Sequence, residues 1–154
     1  MPKIDVQEWV EHAGEPHPLT GVDNGPYADI ALGDAVGLTQ FGVHLERLPP
    51  GSQSSHRHWH ETEDEFVYVV SGELVLIEDS EIVLTAGEAA GWNSGTPVAH
   101  CLENRSDRDA VMLVVGTRAE AGAVHYPDHD LVLRHTAERR VFTRGDGTPV
   151  ETKG

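Results

Sequence analysis

The chain has 154 residues, 38% of them hydrophobic, and its 26 acidic and 11 basic residues give a formal net charge of −15. This length suits one domain with a sizeable core, and the acidic balance excludes nucleic acid and anionic membrane surfaces as expected partners. The single cysteine, Cys101, excludes an intramolecular disulfide and is typical of a reducing compartment. With neither a signal-peptide core nor an apolar run of about 20 residues, we expect a cytoplasmic protein.

The first part of the chain is predicted to be mostly irregular. Residues 1–30 are expected to form an N-terminal arm, because Gly, Pro, His and Asp dominate much of this segment. A short strand is predicted within 28–34. A clearer strand is predicted over 38–48, where apolar residues alternate with polar or small ones before a Pro-Pro-Gly stop.

The middle of the chain is a series of short apolar segments divided by turn residues. They predict strands over 65–70, 73–77, 81–85, 91–93, 97–104 and 110–117. Such regular spacing indicates an antiparallel barrel or sandwich, which we place at residues 31–120. Residues 121–154 are interpreted as a tail that folds over the barrel or over a neighbouring subunit. Within the tail, 132–140 is the only candidate helix.

One stretch concentrates the residues that bind metals. His56, His58 and His60 recur at every second position, so on an extended strand all three would share a face. After four further residues, Glu65 opens the apolar run 66–70. Imidazoles and a carboxylate brought to one side of a strand pair form a site for a first-row transition metal.

A second patch, residues 87–104, supplies one more histidine, His100. Strand parity tests whether it could meet the first group. If Glu65 faces the barrel interior, Val67 does too, and His100 shares its own inward face with Asn104. The alternation is therefore compatible with one centre that includes His100.

These residues resemble the two motifs of the cupin superfamily. The first motif is a Gly, His-x-His, a short gap, Glu, six residues and Gly, matched here by Gly51, His58, His60, Glu65 and Gly72. The second is a Gly, five residues, Pro-x-Gly, a short gap, His, three residues and Asn, matched here by Gly87, Asn93, Gly95, His100 and Asn104. Two departures loosen the match to the second motif. Asn93 replaces the proline, and four residues rather than two separate Gly95 from His100. Gly51 also lies one residue further from His58 than in the common form.

The resemblance implies an all-β fold, a double-stranded β-helix or jelly-roll barrel with one divalent transition metal ion inside it. The implied ligands are His58, His60, Glu65 and His100, a set that suits Fe, Mn, Ni, Co or Zn. Four protein ligands on an octahedral ion would leave two positions for water or a small-molecule ligand. Small cupins are commonly homodimers with N-terminal strands across the interface, and the arm and Trp59 would fit that arrangement.

The resemblance does not select a reaction, because this fold supports dioxygenases, isomerases, lyases and non-catalytic proteins. One hypothesis is a small metalloenzyme that acts on a polar metabolite by Lewis-acid or O₂-dependent chemistry. A second is a non-catalytic, metal-dependent binding module, and a third is a barrel whose metal only ties strands together. No catalytic residue is assigned, although His56 is a candidate acid/base or hydrogen-bond donor behind the ligands, or else a strand-end histidine.

The remaining aromatic and polar residues receive simpler interpretations. Trp92 is a candidate cavity-lining residue, whereas the parity of Tyr68 and Trp59 directs both away from the metal. Cys101 is expected to be a small buried group. The His and Asp residues within 125–130 could form another metal cluster, but are interpreted as solvated turn residues.

Overall fold

The computed structural model describes residues 3–5 and 7–151, so residues 1, 2 and 6 of the predicted arm and 152–154 of the predicted tail lie outside the described part. Within it, the chain forms thirteen strands and two single-turn 3-10 segments, Asp34–Val36 and Pro127–His129. The strands are β1 Val10–His12, β2 Tyr27–Ile30, β3 Phe41–Leu48, β4 Trp59–His60, β5 Glu65–Ser71, β6 Glu73–Ile77, β7 Glu81–Thr85, β8 Ala89–Trp92, β9 Cys101–Glu103, β10 Ala110–Thr117, β11 Gly122–Tyr126, β12 Leu131–His135 and β13 Arg140–Thr143. No helix of this part combines the length and apolar character needed to cross a bilayer.

The strands assemble into three antiparallel sheets. The largest has the order β1-β2-β3-β10-β5-β8, the second β13-β12-β11-β4 and the third β7-β6-β9. In the largest sheet β10 pairs with both β3 and β5, so strands far apart in sequence become neighbours. The predicted all-β jelly-roll architecture is confirmed.

The core lies between the inner faces of the largest and smallest sheets. Strand alternation brings one set of side chains inward, and the predicted inward residue Val67 is 1% exposed. The remainder of this cluster is also apolar and buried: Leu48, Val69, Leu74, Leu76, Leu84, Leu102, Ala110 and Met112. Burial on this scale is the main stabilising contribution, and it holds the metal-site strands in one register.

Several segments differ from the sequence-based expectation. The strand predicted over 97–104 is confined to β9, Cys101–Glu103. The strand predicted within 28–34 is β2, and the 3-10 segment follows it. The candidate helix at 132–140 is wrong, because this segment contains β12, a turn and the start of β13. Thr136 N donates to Arg139 O at 2.9 Å and closes the hairpin. Cross-strand pairing and burial from both sides outweigh a local helical pattern here.

Both ends of the described chain pair with other strands. β1 pairs with β2 and β2 with β3, which extends the largest sheet. β11 pairs with β4, so the C-terminal strands share a sheet with His60. The division of the chain after residues 30 and 120 stays a prediction.

Candidate metal centre

Three separate parts of the chain bring the four predicted ligands together. Glu65 begins β5, and His60 ends β4. His58 forms an isolated antiparallel bridge with His100, in which His100 N donates to His58 O at 3.0 Å. Backbone pairing therefore sets two of the imidazoles side by side, opposite the carboxylate.

The ring nitrogens surround a single carboxylate oxygen. The Nε2 atoms of His100, His60 and His58 lie 2.7, 3.3 and 3.5 Å from Glu65 Oε2. One donor atom each from His58, Glu65 and His100 lies within 4.8 Å of the others. His60 is outside that tightest group and joins it through its contact with Glu65.

Hydrogen bonds behind the rings orient two of them. Nδ1 of His58 lies 2.8 Å from His56 O, and Nδ1 of His100 lies 3.0 Å from Val98 O. A carbonyl only accepts, so Nδ1 carries a proton in each ring. Nε2 donates to Glu65 when the ring is doubly protonated, and it presents a lone pair in the neutral form, which is the form that binds a metal. The third ring, His60, has a buried Nδ1 without a hydrogen-bond partner among the described residues.

The electrostatics of the cluster favour a cation. Burial would raise the pKa of Glu65, but hydrogen bonds from His100, His58 and His60 hold it well below its usual range. Burial lowers the pKa of His58, and the hydrogen bond and charge of Glu65 outweigh this and raise it overall. An anionic carboxylate among nitrogen donors fits a divalent transition metal ion, which can replace the protons between them.

The groups around the site pack closely. Trp92 stacks on His100 with ring centroids 3.6 Å apart and 2° between the planes, so it lines the site and fixes that imidazole. On the inner face, Gly116 pairs with both Glu65 and Gly42. An added Cβ would meet Asp64 O at 3.3 Å at Gly116 and Arg118 Nε at 3.4 Å at Gly42, so these positions are closely packed.

His56 lies in a different environment from the other two histidines of its stretch. Regular strand is confined to Trp59–His60, and His56 lies in a bend before it. Its Nε2 is 2.8 Å from Thr20 Oγ1 and its Nδ1 is 3.2 Å from Asn24 Nδ2. Burial, followed by the charge of His129, lowers its pKa. Both ring nitrogens are therefore engaged with the N-terminal arm.

The C-terminal sheet supplies residues that the sequence did not identify. Its register places on the face of His60 the side chains of Val124, Tyr126, Leu131, Leu133, His135, Arg140 and Phe142. The Tyr126 ring lies 5.9 Å from that of His58, and burial raises its pKa. The sequence signal that could have identified these residues is the every-second-residue spacing along two neighbouring strands. The interpretation of 132–140 as a helix obscured that spacing.

Several of the outlying residues lie where parity predicted. Trp59 stacks on His125 at 4.0 Å, and Tyr68 is 40% exposed. Cys101 is 1% exposed, and burial raises its pKa to about 12, as expected for a packing residue. Within 125–130, Asp128 instead receives two hydrogen bonds from Arg57, each of 2.8 Å.

The fold and the site define a jelly-roll barrel with a histidine–carboxylate cluster inside it, and the comparisons place it in a family. A model of the cupin domain matches residues 44–116. A crystal structure of a sugar phosphate isomerase of the cupin superfamily from Silicibacter pomeroyi is 39% identical, with 97% of each chain covered and a TM-score of 0.85. The chain belongs to the cupin superfamily.

Two further solved structures are similar to this chain. A candidate sugar phosphate isomerase from Acidithiobacillus ferrooxidans is 30% identical over 82% of this chain and 81% of its own, with a TM-score of 0.77. A predicted oxalate decarboxylase from Thermotoga maritima is 28% identical over 62% of this chain and 83% of its own, with a TM-score of 0.53. The comparison with curated proteins finds no significant match.

Proposed function

We propose that this protein is a metal-dependent isomerase of sugar phosphates. The observation that carries the proposal is the buried cluster in which three Nε2 atoms lie 2.7 to 3.5 Å from Glu65 Oε2. The reaction class comes from the Silicibacter pomeroyi protein, which is similar over nearly the whole of both chains. This proposal selects one of the metalloenzyme reactions that the sequence left open.

The four residues His58, His60, Glu65 and His100 would hold the ion, which when bound would act as a Lewis acid on a substrate carbonyl or hydroxyl oxygen. The chain's own groups would orient the substrate. Tyr126 lies beside His58, and its phenol is protonated at neutral pH and can donate a hydrogen bond.

The first test is elemental analysis of protein purified without added metal. Wild type is expected to retain about one divalent transition metal ion per chain, and the His58→Ala/His60→Ala variant is expected to lose it. His12→Ala is the matched control, because His12 is a half-exposed histidine that contacts Asp29 rather than the cluster. Equal metal contents in all three proteins would contradict the assignment of the ligands.

The second test is proton NMR of the metal-loaded protein with a panel of aldose and ketose phosphates in D₂O. Interconversion of an aldose phosphate and its ketose partner is expected, with loss in the ligand variant and retention in His12→Ala. Metal retention with no conversion of any member of the panel would refute the isomerase. Metal-dependent binding of a sugar phosphate without conversion would instead establish the non-catalytic binding module.

We also propose that the protein forms a homodimer through the outer face of its largest sheet. Phe66, Tyr68 and Val70 on β5 are 41%, 40% and 48% exposed, and Leu113 and Val115 of β10 pair with the first two. A contiguous apolar face of this kind is typical of an interface. It differs from the interface expected around the arm and Trp59, which stays a separate prediction.

Light scattering tests the dimer. Wild type is expected to have twice the chain mass at micromolar concentration, and Tyr68→Lys is expected to be a monomer because it introduces a charge into the apolar face. Glu120→Lys, at an exposed position, is the control and should stay dimeric. A monomeric wild type would exclude this interface.

A further inference from the structure

The sheet face that carries His60 also carries two cationic side chains further along. His60 pairs with Val124, which pairs with Leu133 on the next strand. Two residues further on, His135 of β12 pairs with Arg140 of β13. Side chains two residues apart on a strand share a face, so His135 and Arg140 lie on the same side as His60.

A cavity of about 320 Å³ lies at this end of the sheet. Its lining combines the two cationic residues with apolar and polar neighbours: Glu63, Val124, Leu133, His135, Thr136 and Arg140. Glu63 connects the cavity to the metal centre, since its Oε1 is 3.5 Å from His135 Nε2 and 3.9 Å from His60 Nδ1. One carboxylate oxygen therefore separates the cavity from a predicted metal ligand.

Most of the arginines in this acidic chain, which has a net charge of −15, already have partners. Five are paired with carboxylates: Arg47, Arg57, Arg105, Arg108 and Arg118. Across residues 3–5 and 7–151, three exposed arginines, Arg134, Arg139 and Arg140, have no carboxylate or side-chain hydrogen-bond partner, and of these Arg140 lines the cavity. A guanidinium with its donors free can bind a phosphate through two parallel hydrogen bonds.

The charges at the two ends of this face act on the same phenol. Burial is the main cause of the raised pKa of Tyr126, while the charge of Arg140 lowers it and that of Glu65 raises it. Tyr126 also shares the sheet face of Arg140, and its ring lies 5.9 Å from that of His58. A substrate with an anionic group at one end could contact both Arg140 and the metal centre.

We propose that Arg140, with His135 beside it, binds the phosphate group of the substrate while the reacting carbons lie at the metal centre. This assignment rests on the proposed sugar phosphate isomerase. The Arg140 guanidinium would supply two parallel hydrogen bonds and a positive charge. The neighbouring imidazole of His135 would contact the same phosphate. Val124 and Leu133 form the apolar wall between the two ends of the site.

Steady-state kinetics of the metal-loaded protein provide the first test. Arg140→Gln is expected to raise KM for a sugar phosphate about 10- to 100-fold with little change in kcat, because the lost interaction binds a part of the substrate that does not react. Arg140→Lys should have an intermediate KM. The matched control is Arg134→Gln, since Arg134 precedes His135 and projects from the opposite face of the same strand.

Titration of inorganic phosphate into chelator-treated protein by calorimetry provides a test without catalysis. Wild type and Arg134→Gln should bind phosphate equally, and Arg140→Gln should bind it at least tenfold more weakly. Unchanged circular dichroism would show that each variant is folded.

The two assays distinguish the anion site from the isomerase. Isomerisation with an unchanged KM in Arg140→Gln would overturn the phosphate site and leave the proposed function intact. Phosphate binding that depends on Arg140, in a protein that isomerises no sugar phosphate, would support the anion site and refute the reaction. Equal phosphate affinity in wild type and Arg140→Gln, including no binding by either, would overturn the phosphate site.

Discussion

Asn104 is a residue of the second motif whose role is structural, and its removal should be costly. The residue is 0% exposed. Its Nδ2 donates to Leu48 O at 2.7 Å and to Arg108 O at 2.8 Å. Its Oδ1 accepts from Ser106 N and Ser106 Oγ at 2.9 and 2.7 Å. One amide thus ties the end of β3 to the turn between β9 and β10.

The expected cost of Asn104→Ala follows from these four contacts. The carbonyl of Leu48 loses its side-chain donor in a region closed to water, and each such unmade bond costs about 1–3 kcal/mol. Ser106 is only partly buried and can turn to solvent, so its bonds contribute less. We expect a loss of about 2–4 kcal/mol in the free energy of unfolding, or roughly 5–12 °C in Tm.

Urea denaturation of the metal-free protein measures this cost without a contribution from metal binding. Asn93→Ala is the matched control, because Asn93 is exposed and makes a single side-chain hydrogen bond, from Thr96 Oγ1. That variant should lose less than about 1 kcal/mol. If Asn104→Ala also lost less than about 1 kcal/mol in the free energy of unfolding, the structural role assigned to Asn104 would be refuted.

Asn104→Asp adds a pH dependence with a defined sign. At neutral pH its carboxylate would face two carbonyl oxygens, so burial and repulsion should raise its pKa in the folded protein. Stability should therefore be recovered as the pH falls through that raised value and lost again as it rises. Stability equal to that of wild type at neutral pH would contradict the hydrogen-bond assignment.

Three further predictions concern other parts of the fold. Gly72 has φ of +77°, and an added Cβ would meet Asp109 O at 2.8 Å, so Gly72→Ala should lose about 2–4 kcal/mol in urea denaturation. The hydrogen bonds from Arg57 lower the pKa of Asp128, so the stability difference between wild type and Asp128→Asn, on the order of 1 kcal/mol at neutral pH, should shrink as the pH falls below 3.8. Cys101 is 1% exposed and its pKa is about 12, so a thiol reagent at neutral pH should label it in denaturant but leave the native protein unlabelled over the same time.

Local patterns were sufficient to predict most of the barrel. The alternation of inward and outward residues identified β3 and β5, and the turn at Gly72 separated β5 from β6. These signals lie within a few neighbouring residues, where strand parity and turn chemistry are read directly. The same parity correctly separated buried Val67 from exposed Tyr68.

The candidate metal ligands could be proposed from spacing, but their surroundings could not. His56 shares the spacing of His58 and His60, yet hydrogen bonds to Thr20 and Asn24 hold it against the arm. Those partners are more than 30 residues away in sequence. The alternation in the histidine stretch therefore does not reveal where each ring is held.

The sequence by itself determined the strand content, the inward faces of the central strands and the order of four candidate ligands. Only the tertiary structure decided which strands stand opposite one another. The pairing of β11 with β4 brings Tyr126, His135 and Arg140 to the face of His60. The physical reason is register, because a one-residue shift in that long-range pairing would turn every one of these side chains to the other face.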